Sequence, residues 1–395
     1  MSKKLINLNS DLQRLQDEGY EVEVRDCYLL LHSIPYVNSQ CEIAMGTLVT
    51  DLTLNNDRTQ RPSDHLVWFS GEYPCNKDGS IITALRNSTA TQTLCEGLVI
   101  QHRFSCKPPE GYGDYYTKMT RYVEIISNPA RAIDPSIKAQ TFKPVESLEE
   151  DSVFLYRDSA SSRVGIAGLA KKLAMAKVAI VGLGGTGSYV LDLIAKTHVC
   201  EIHLFDGDQF LQHNAFRAPG AASFESLEGS PSKVAYYRDI YSKMRRGIFS
   251  HHEFIDEETV DQLVGFDFVF LCVDKPAVRK LVSDFLHNQK IPFIDVGMEL
   301  ELIEEQQCLI GISRVTLSTP EKSDHFCRHV SFEENGADDL YRSNIQVADL
   351  NAMNAALAVI KWKKHYGFYQ DCYKEHQSAY AINTHQLTRD ETISL

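Results

Sequence analysis

The sequence predicts an α/β protein in two parts: a doubly wound, mostly parallel-sheet domain over residues 151–395, preceded by a smaller α+β domain over residues 1–150. Two observations carry this. Residues 177–183 are a continuous apolar run, the pattern of a parallel strand buried on both faces. From about residue 152 strand and helix patterns alternate, whereas before 150 short alternating runs are broken by turn signals. A length of 395 residues accommodates two or three domains.

In the first domain, residues 11–18 read as its one helix, and residues 21–24, 28–31 and 65–69 as strands. The turn signals are Asn55-Asn-Asp57, Pro74-Cys-Asn-Lys-Asp-Gly79 and Lys107-Pro-Pro-Glu-Gly111. His65 has no partner at metal-ligand spacing and reads as structural. A linker is placed at Asn128-Pro129, Asp134-Pro135 and the acidic stretch 146–151. In the second domain, strand 177–183 leads to a helix from about Ser188 to residue 197, then a strand at 201–206. Strands follow at 267–273 and 292–296, with a helix opened by Pro276 between them. Residues 347–365 are helical, with Leu350, Met353, Leu357 and Ile360 spaced as a core-facing stripe.

Composition narrows the function. Hydrophobic residues make up 43% and charged residues 24%, a globular profile that excludes a disordered chain. No apolar run approaches the roughly 20 residues that cross a bilayer. The N-terminus leads into Asn7, Asn9 and Asp11 rather than an apolar signal core. No membrane partner is expected. Lys and Arg total 40 against 53 Asp and Glu, a net charge of −13. That argues against a nucleic-acid partner, because such binding rests on neutralised phosphates. Lys243-Met-Arg-Arg246 reads as a solvated helix face. Ten cysteines without one Cys-x-x-Cys pair fit neither a disulfide scaffold nor a four-cysteine zinc site. The expected setting is a reducing cytoplasm, with no zinc.

Gly182-Leu-Gly-Gly-Thr-Gly187 lies between the buried strand and a helix, the context of a Rossmann-like phosphate-binding loop. Gly182, Gly184, Gly185, Thr186 and Gly187 are its candidate binding residues. Asp206, at the end of the second strand, is placed for a ribose hydroxyl. The loop alone does not choose between NAD, FAD and ATP. Asp208, Asn214, Arg217, Lys233 and Asp274 discriminate, because all fall at or beyond strand ends. Hydride transfer needs no Arg and Lys converging on a triphosphate. Attack of a carboxylate on an α-phosphorus does, since charge builds on the phosphate oxygens. Asp274 supplies the hard oxygen that Mg²⁺ requires.

Residues 152 to about 366 resemble the superfamily of ThiF proteins and ubiquitin-activating enzymes. The match comprises the run from Val178 to Ser188, the Asp-x-Asp at 206 and 208, Asn214-x-x-Arg217, Lys233 and Asp274, in family order. The resemblance implies ATP- and Mg²⁺-dependent adenylation of the C-terminal glycine of a ubiquitin-like or sulfur-carrier protein, by a homodimer. It assigns Asp206 to the ribose, Asp208 to support of the loop or the nucleotide, and Asn214, Arg217 and Lys233 to phosphates. Asp274 would bind or orient Mg²⁺. It further implies an arginine ahead of the first strand that reaches the partner subunit's site. Arg157 and Arg163 are candidates, with Arg157 preferred.

The sequence departs from the family at Ala218, where glutamine is frequent, and in lacking two zinc-binding Cys-x-x-Cys pairs. Cys327 is the candidate for a thioester, flanked by His325, Arg328 and His329, which favour a thiolate. An enzyme that stops at the acyl-adenylate is the alternative. Cys272 reads as core. The pairing of this first domain with a ThiF-like half resembles the activating component of bacterial ubiquitination-like operons, some of which act in antiphage defence. That implies a conjugating enzyme as a partner. An NAD-dependent oxidoreductase and a catalytically silent scaffold are the other readings of the fold.

Overall fold

The structure, a computed structural model, describes residues 2–143, 152–156, 169, 171–332 and 345–390. The described residues form two compact units, one of those up to Ser152 together with Tyr156, the other of Val153–Leu155 and those from residue 169 on.

In the first unit, helices α1 (Ser2–Leu8) and α2 (Ser10–Asp17) precede a six-stranded antiparallel sheet. Its strands are β1 (Glu21–Arg25), β2 (Tyr28–Val37), β3 (Ile43–Asp51), β4 (Leu66–Ser70), β5 (Arg86–Cys95) and β6 (Leu98–Ser105). They lie in the order β1-β2-β3-β4-β6-β5. Helix α3 (Tyr115–Ile133) packs on this sheet: Tyr115, Met119, Tyr122, Val123 and Ile126 recur every three or four residues and join Leu29, Leu31, Leu48 and Phe69 in one core. Asp114 caps it, accepting from the Thr117 amide at 2.7 Å. This helix corrects two expectations. It is the third helix, after α1 and α2, in a domain expected to hold only the one at 11–18, and Asn128-Pro129 lies inside it rather than in a linker. An interior proline costs about 3 kcal/mol, and the apolar face running from Tyr115 to Ala130 outweighs it.

The second unit is built on an eight-stranded sheet. Its strands are β7 (Lys177–Val181), β8 (Glu201–Phe205), β9 (Ile248–His251), β10 (Phe268–Leu271), β11 (Phe293–Ile303), β12 (Cys308–Ser318), β13 (Gln377–Ala381) and β14 (Gln386–Arg389). The order is β9-β8-β7-β10-β11-β12-β13-β14. The first five are parallel, and β12, β13 and β14 extend the sheet antiparallel. Helices α4 (Gly185–Ile194) and α5 (Lys233–Tyr241) cover one face with Val178, Ile180, Ile202, Leu204, Phe268 and Phe270. Helix α6 (Pro276–Gln289) and the short α7 (Phe326–His329) cover the other with Ala179, Val181, Val269 and Leu271. Burial on both faces is why β7 and β10 read as unbroken apolar runs. Since β8 and β10 flank β7 on opposite sides, the loop after β7 sits at the point where the winding reverses, the ligand crevice of open α/β sheets.

Two sequence expectations are corrected here. Helix α8 (Ala348–His365) buries Leu350, Asn351, Asn354, Ala355, Ala358, Val359 and Trp362, whereas Met353 and Leu357 are only half-buried and Ile360 is 43% exposed. The buried face is turned toward small and polar residues because α8 lies directly against α4. Arg245 does not belong to a solvated helix face: α5 ends at Tyr241, and Arg245 is 1% exposed. Its guanidinium donates to the carbonyl of Ala195, which caps α4, to those of Thr197, Val199 and Cys200 in the segment that follows, and to that of its neighbour Arg246. Burial pulls its pKa down to about 10, which leaves it cationic at neutral pH.

Candidate nucleotide site

The glycine loop is a close-packed turn. Gly182 has φ +91°, and a Cβ there would lie 2.6 Å from the Cys272 carbonyl oxygen; one on Gly187 would lie 1.9 Å from the Gly182 carbonyl oxygen. Only glycine lets β7 turn this tightly into α4 beside β10. Above Gly184 the space is open for 4 Å. Gly184 is the N-cap and offers no side-chain acceptor, so the first-turn amides of α4 are left for an anion. The helix begins at Gly185, three residues earlier than the sequence pattern suggests.

Asp206, 7% exposed, organises the adjoining rim. Its carboxylate accepts from the amides of Leu183 at 2.7 Å and Asp208 at 2.9 Å. Lys233, at the start of α5 and equally buried, places its ammonium 3.4 Å from Asp206 and 2.7 Å from the Asp208 carboxylate. Asn214 is buried, and its Oδ1 accepts from the Leu211 amide at 2.9 Å, closing the turn that carries Arg217. Arg217 Nε is buried without a hydrogen-bond partner among the described residues. Both Arg217 and Lys233 act on His213. His213 is held below its ordinary pKa by partial burial and then by these two charges, and Arg217 also acts on Tyr237, whose hydroxyl meets Ser188 on α4. The structure thus brings together Gly182–Gly187, Asp206, Asp208, Lys233, Asn214 and Arg217.

Asp274 follows β10 and is exposed, and Cys272 and Val273 before it lie against Gly182. Its carboxylate has no hydrogen bond or ion pair among the described residues. A free hard-oxygen donor at this edge fits Mg²⁺, which binds through one or two carboxylates plus substrate phosphates. Among the described residues no three His, Cys, Asp or Glu side chains gather as a metal cluster.

Cys272 lies just past β10, and burial, with a smaller contribution from Asp295, pushes its thiol far up. Cys327 is exposed on α7. The thiolate rationale drawn from its neighbours does not hold for two of them: His325 is buried, with Nε2 2.9 Å from the Leu317 carbonyl, and Arg328 pairs with Asp324 at 3.0 Å. Lys280 on α6 pairs with Asp284 at 2.9 Å. Arg157 and Arg163 lie outside the described residues.

Sequence reasoning missed Asn351, read within a helix without a role. Its Oδ1 accepts from Thr186 Oγ1 at 3.0 Å, and its Nδ2 lies 3.5 Å from the Arg217 carbonyl. It therefore joins the glycine loop to the arginine turn. It also missed Arg279 and Asp295, five residues past Asp274 and on β11. No spacing signal marks any of the three, because their side-chain partners are 16 to 165 residues away.

A Rossmann-like sheet with a glycine loop where its winding reverses, and a buried aspartate–lysine pair on the adjoining rim, defines a nucleotide-binding α/β protein. Residues 156–360 match the ThiF family. The chain belongs to the ThiF family. Residues 10–159 match a domain of unknown function, DUF6791. The adenylyltransferase and sulfurtransferase uba4 of Pyricularia oryzae is 33% identical over 137 residues, 34% of this chain and 27% of that protein. The chain thus matches about a quarter of that relative's length. Among solved structures, E. coli MccB with succinimide is 20% identical, with a TM-score of 0.46, over 56% of this chain and 66% of that one. PaaA in its selenomethionine form is 17% identical, with a TM-score of 0.44, over 57% and 75%.

Proposed function

We propose that the chain is an ATP- and Mg²⁺-dependent adenylyltransferase that activates the C-terminal carboxylate of a ubiquitin-like or sulfur-carrier protein. The observation that carries this is the Asn351 bridge from the glycine loop to the turn of Arg217, with Lys233 held on the Asp206 rim of the same loop. The carboxylate oxygen attacks the α-phosphorus, the bond to the β-phosphate oxygen breaks, and pyrophosphate leaves. Asp206 holds the ribose, and the first-turn amides of α4 hold phosphate. Arg217 and Lys233 stabilise charge developing on the phosphate oxygens, with Asn214 fixing the turn that carries Arg217. Asp274 would hold Mg²⁺, whose chemistry is to neutralise the triphosphate.

The same reading assigns adenylation to residues 151–395 and partner binding, of the conjugating enzyme or the modifier, to residues 1–150. Exposed Phe216 and Phe224, 78% and 73% exposed, support a homodimer that covers them, with Arg157 reaching the partner's site. Cys327 is assigned the thioester, since its exposed thiol is open to an acyl-adenylate. The biological setting assigned is cytoplasmic, in a bacterial ubiquitination-like operon serving antiviral defence. Among the described residues no helix is long and apolar enough to cross a membrane.

Calorimetric titration of ATP with Mg²⁺, and separately of NAD, into the wild type and Asp274→Ala tests the assignment. ATP binding that weakens in the variant, with no NAD binding, is the expected result. NAD binding without ATP binding overturns it in favour of an oxidoreductase, and binding of neither points to a scaffold.

A further inference from the structure

A buried charge relay lies behind the Asp274 turn and has no part in the assignment above. Asp295 on β11 is fully buried and accepts two guanidiniums: Arg279 Nε from α6 at 3.1 Å and Arg314 Nη2 from β12 at 2.7 Å. Arg279 uses its other arm on the backbone, Nη2 donating to the Val273 carbonyl at 2.7 Å. Arg314 is fixed in turn: its Nη1 donates to Thr316 Oγ1 at 2.7 Å, and Thr316 donates to Gln377 Oε1 on β13 at 2.6 Å. A side chain on Gly297 would collide with the Arg314 guanidinium, so the glycine leaves room for this geometry.

We infer that Arg279 is a positioning residue for Asp274, held in place by Asp295. The inference rests on the reading of Asp274 as the Mg²⁺ carboxylate. Asp274 has no side-chain partner among the described residues, so its placement depends on its backbone. Cys272 is tied into the sheet through its amide, which donates to Val181 at 2.8 Å. Past that point the chain leaves β10, and Arg279 is the group that grips the peptide joining Val273 to Asp274. A guanidinium can do this because its Nε and Nη2 point to two acceptors at once; an ammonium is a single point donor. Burial makes the hold stiff, since an uncompensated Arg279 or Asp295 in this position is costly. The relay therefore keeps Asp274 pre-set before the nucleotide arrives, which lowers the ordering cost of binding.

Arg279→Lys separates the relay from simple structure: the lysine keeps a positive charge for Asp295 but gives up the second arm on Val273. The measurement is calorimetric binding of ATP in EDTA and across a Mg²⁺ titration, for wild type, Asp274→Asn, Arg279→Lys and the double variant. We expect Arg279→Lys to leave ATP binding in EDTA within twofold of wild type while raising the half-saturating Mg²⁺ concentration about tenfold. Added to Asp274→Asn, it should cause no further loss, because both changes act through one carboxylate. An unchanged Mg²⁺ requirement, additive losses in the double variant, or equal loss of binding with and without Mg²⁺ each overturn the relay. If Asp274→Asn itself leaves the Mg²⁺ requirement untouched, the metal assignment has failed and the relay falls with it.

Discussion

Asn351 and Gly185 are packed so closely that a methyl group on the glycine would lie 2.0 Å from the Asn351 amide nitrogen. Helix α8 thereby braces the first turn of α4 from behind, through a side chain that also holds Thr186 and approaches Arg217. The phosphate loop is supported from a point some 165 residues further along the chain. Gly185→Ala should therefore displace Asn351, destabilise the protein by about 1–3 kcal/mol as overpacking does, and weaken ATP binding at least tenfold. Urea unfolding and calorimetry check the two effects separately. Wild-type ATP affinity in a folded Gly185→Ala protein would contradict the brace.

Arg217→Ala should remove about 2–4 kcal/mol of transition-state stabilisation, by analogy with the loss of one oxyanion donor. Because Arg217 Nε is buried without a hydrogen-bond partner among the described residues, its removal breaks no side-chain hydrogen bond there, and the folded state should be little affected. The readout is ATP–pyrophosphate exchange with the cognate modifier. Near-normal exchange in this variant removes Arg217 from the chemistry.

Cys327→Ala should keep pyrophosphate exchange and lose any reductant-sensitive adduct with the modifier. Non-reducing electrophoresis and mass spectrometry report the adduct, with pyrophosphate exchange assayed alongside. An adduct that survives Cys327→Ala moves the nucleophile to another thiol.

Lys361 on α8 is 4% exposed, and burial pulls its pKa from 10.5 down to about 8 despite nearby Glu375 and Asp390. The folded pKa is the lower one, so between about 8 and 10.5 the unfolded chain binds more protons and this group's contribution to stability rises with pH. Below pH 8 the full burial penalty is present. Lys361→Met should thus be more stable than wild type at pH 7, by on the order of 1–3 kcal/mol, with the gap shrinking at pH 10. Urea melts at the two pH values test this. A gap that stays constant argues against the lowered pKa.

The core of the second unit was legible because its strands bury both faces and its glycine loop, Asp206, Asn214, Arg217, Lys233 and Asp274 follow in a fixed local order. What escaped the sequence was set by distance or by neighbours. Asn351, Arg279 and Asp295 act through partners that only the folded chain supplies. Arg245 sits in a basic run whose solvated appearance is reversed by five carbonyls that no local pattern announces. Helix α3 was hidden because Asn128-Pro129 is read as a break, while the periodic face that overrides it spans a longer window than the break does. The stripe on α8 was rotated for a related reason: large apolar residues attract the eye, yet a helix pressed against a glycine turn buries its asparagines and alanines.

Arg245 gives α4 an asymmetry of anchorage. One end of this helix is a glycine turn without a capping side chain of its own, braced by Asn351 from another helix. Past the other end a planar cation gathers the carbonyls of Ala195, Thr197, Val199 and Cys200. A helix of this length, about 15 Å, behaves as a rigid lever held at its tip by Asn351 and at its root by Arg245. Exchange of Arg245 for lysine, harmless at most surfaces, would leave that lever loose at its root.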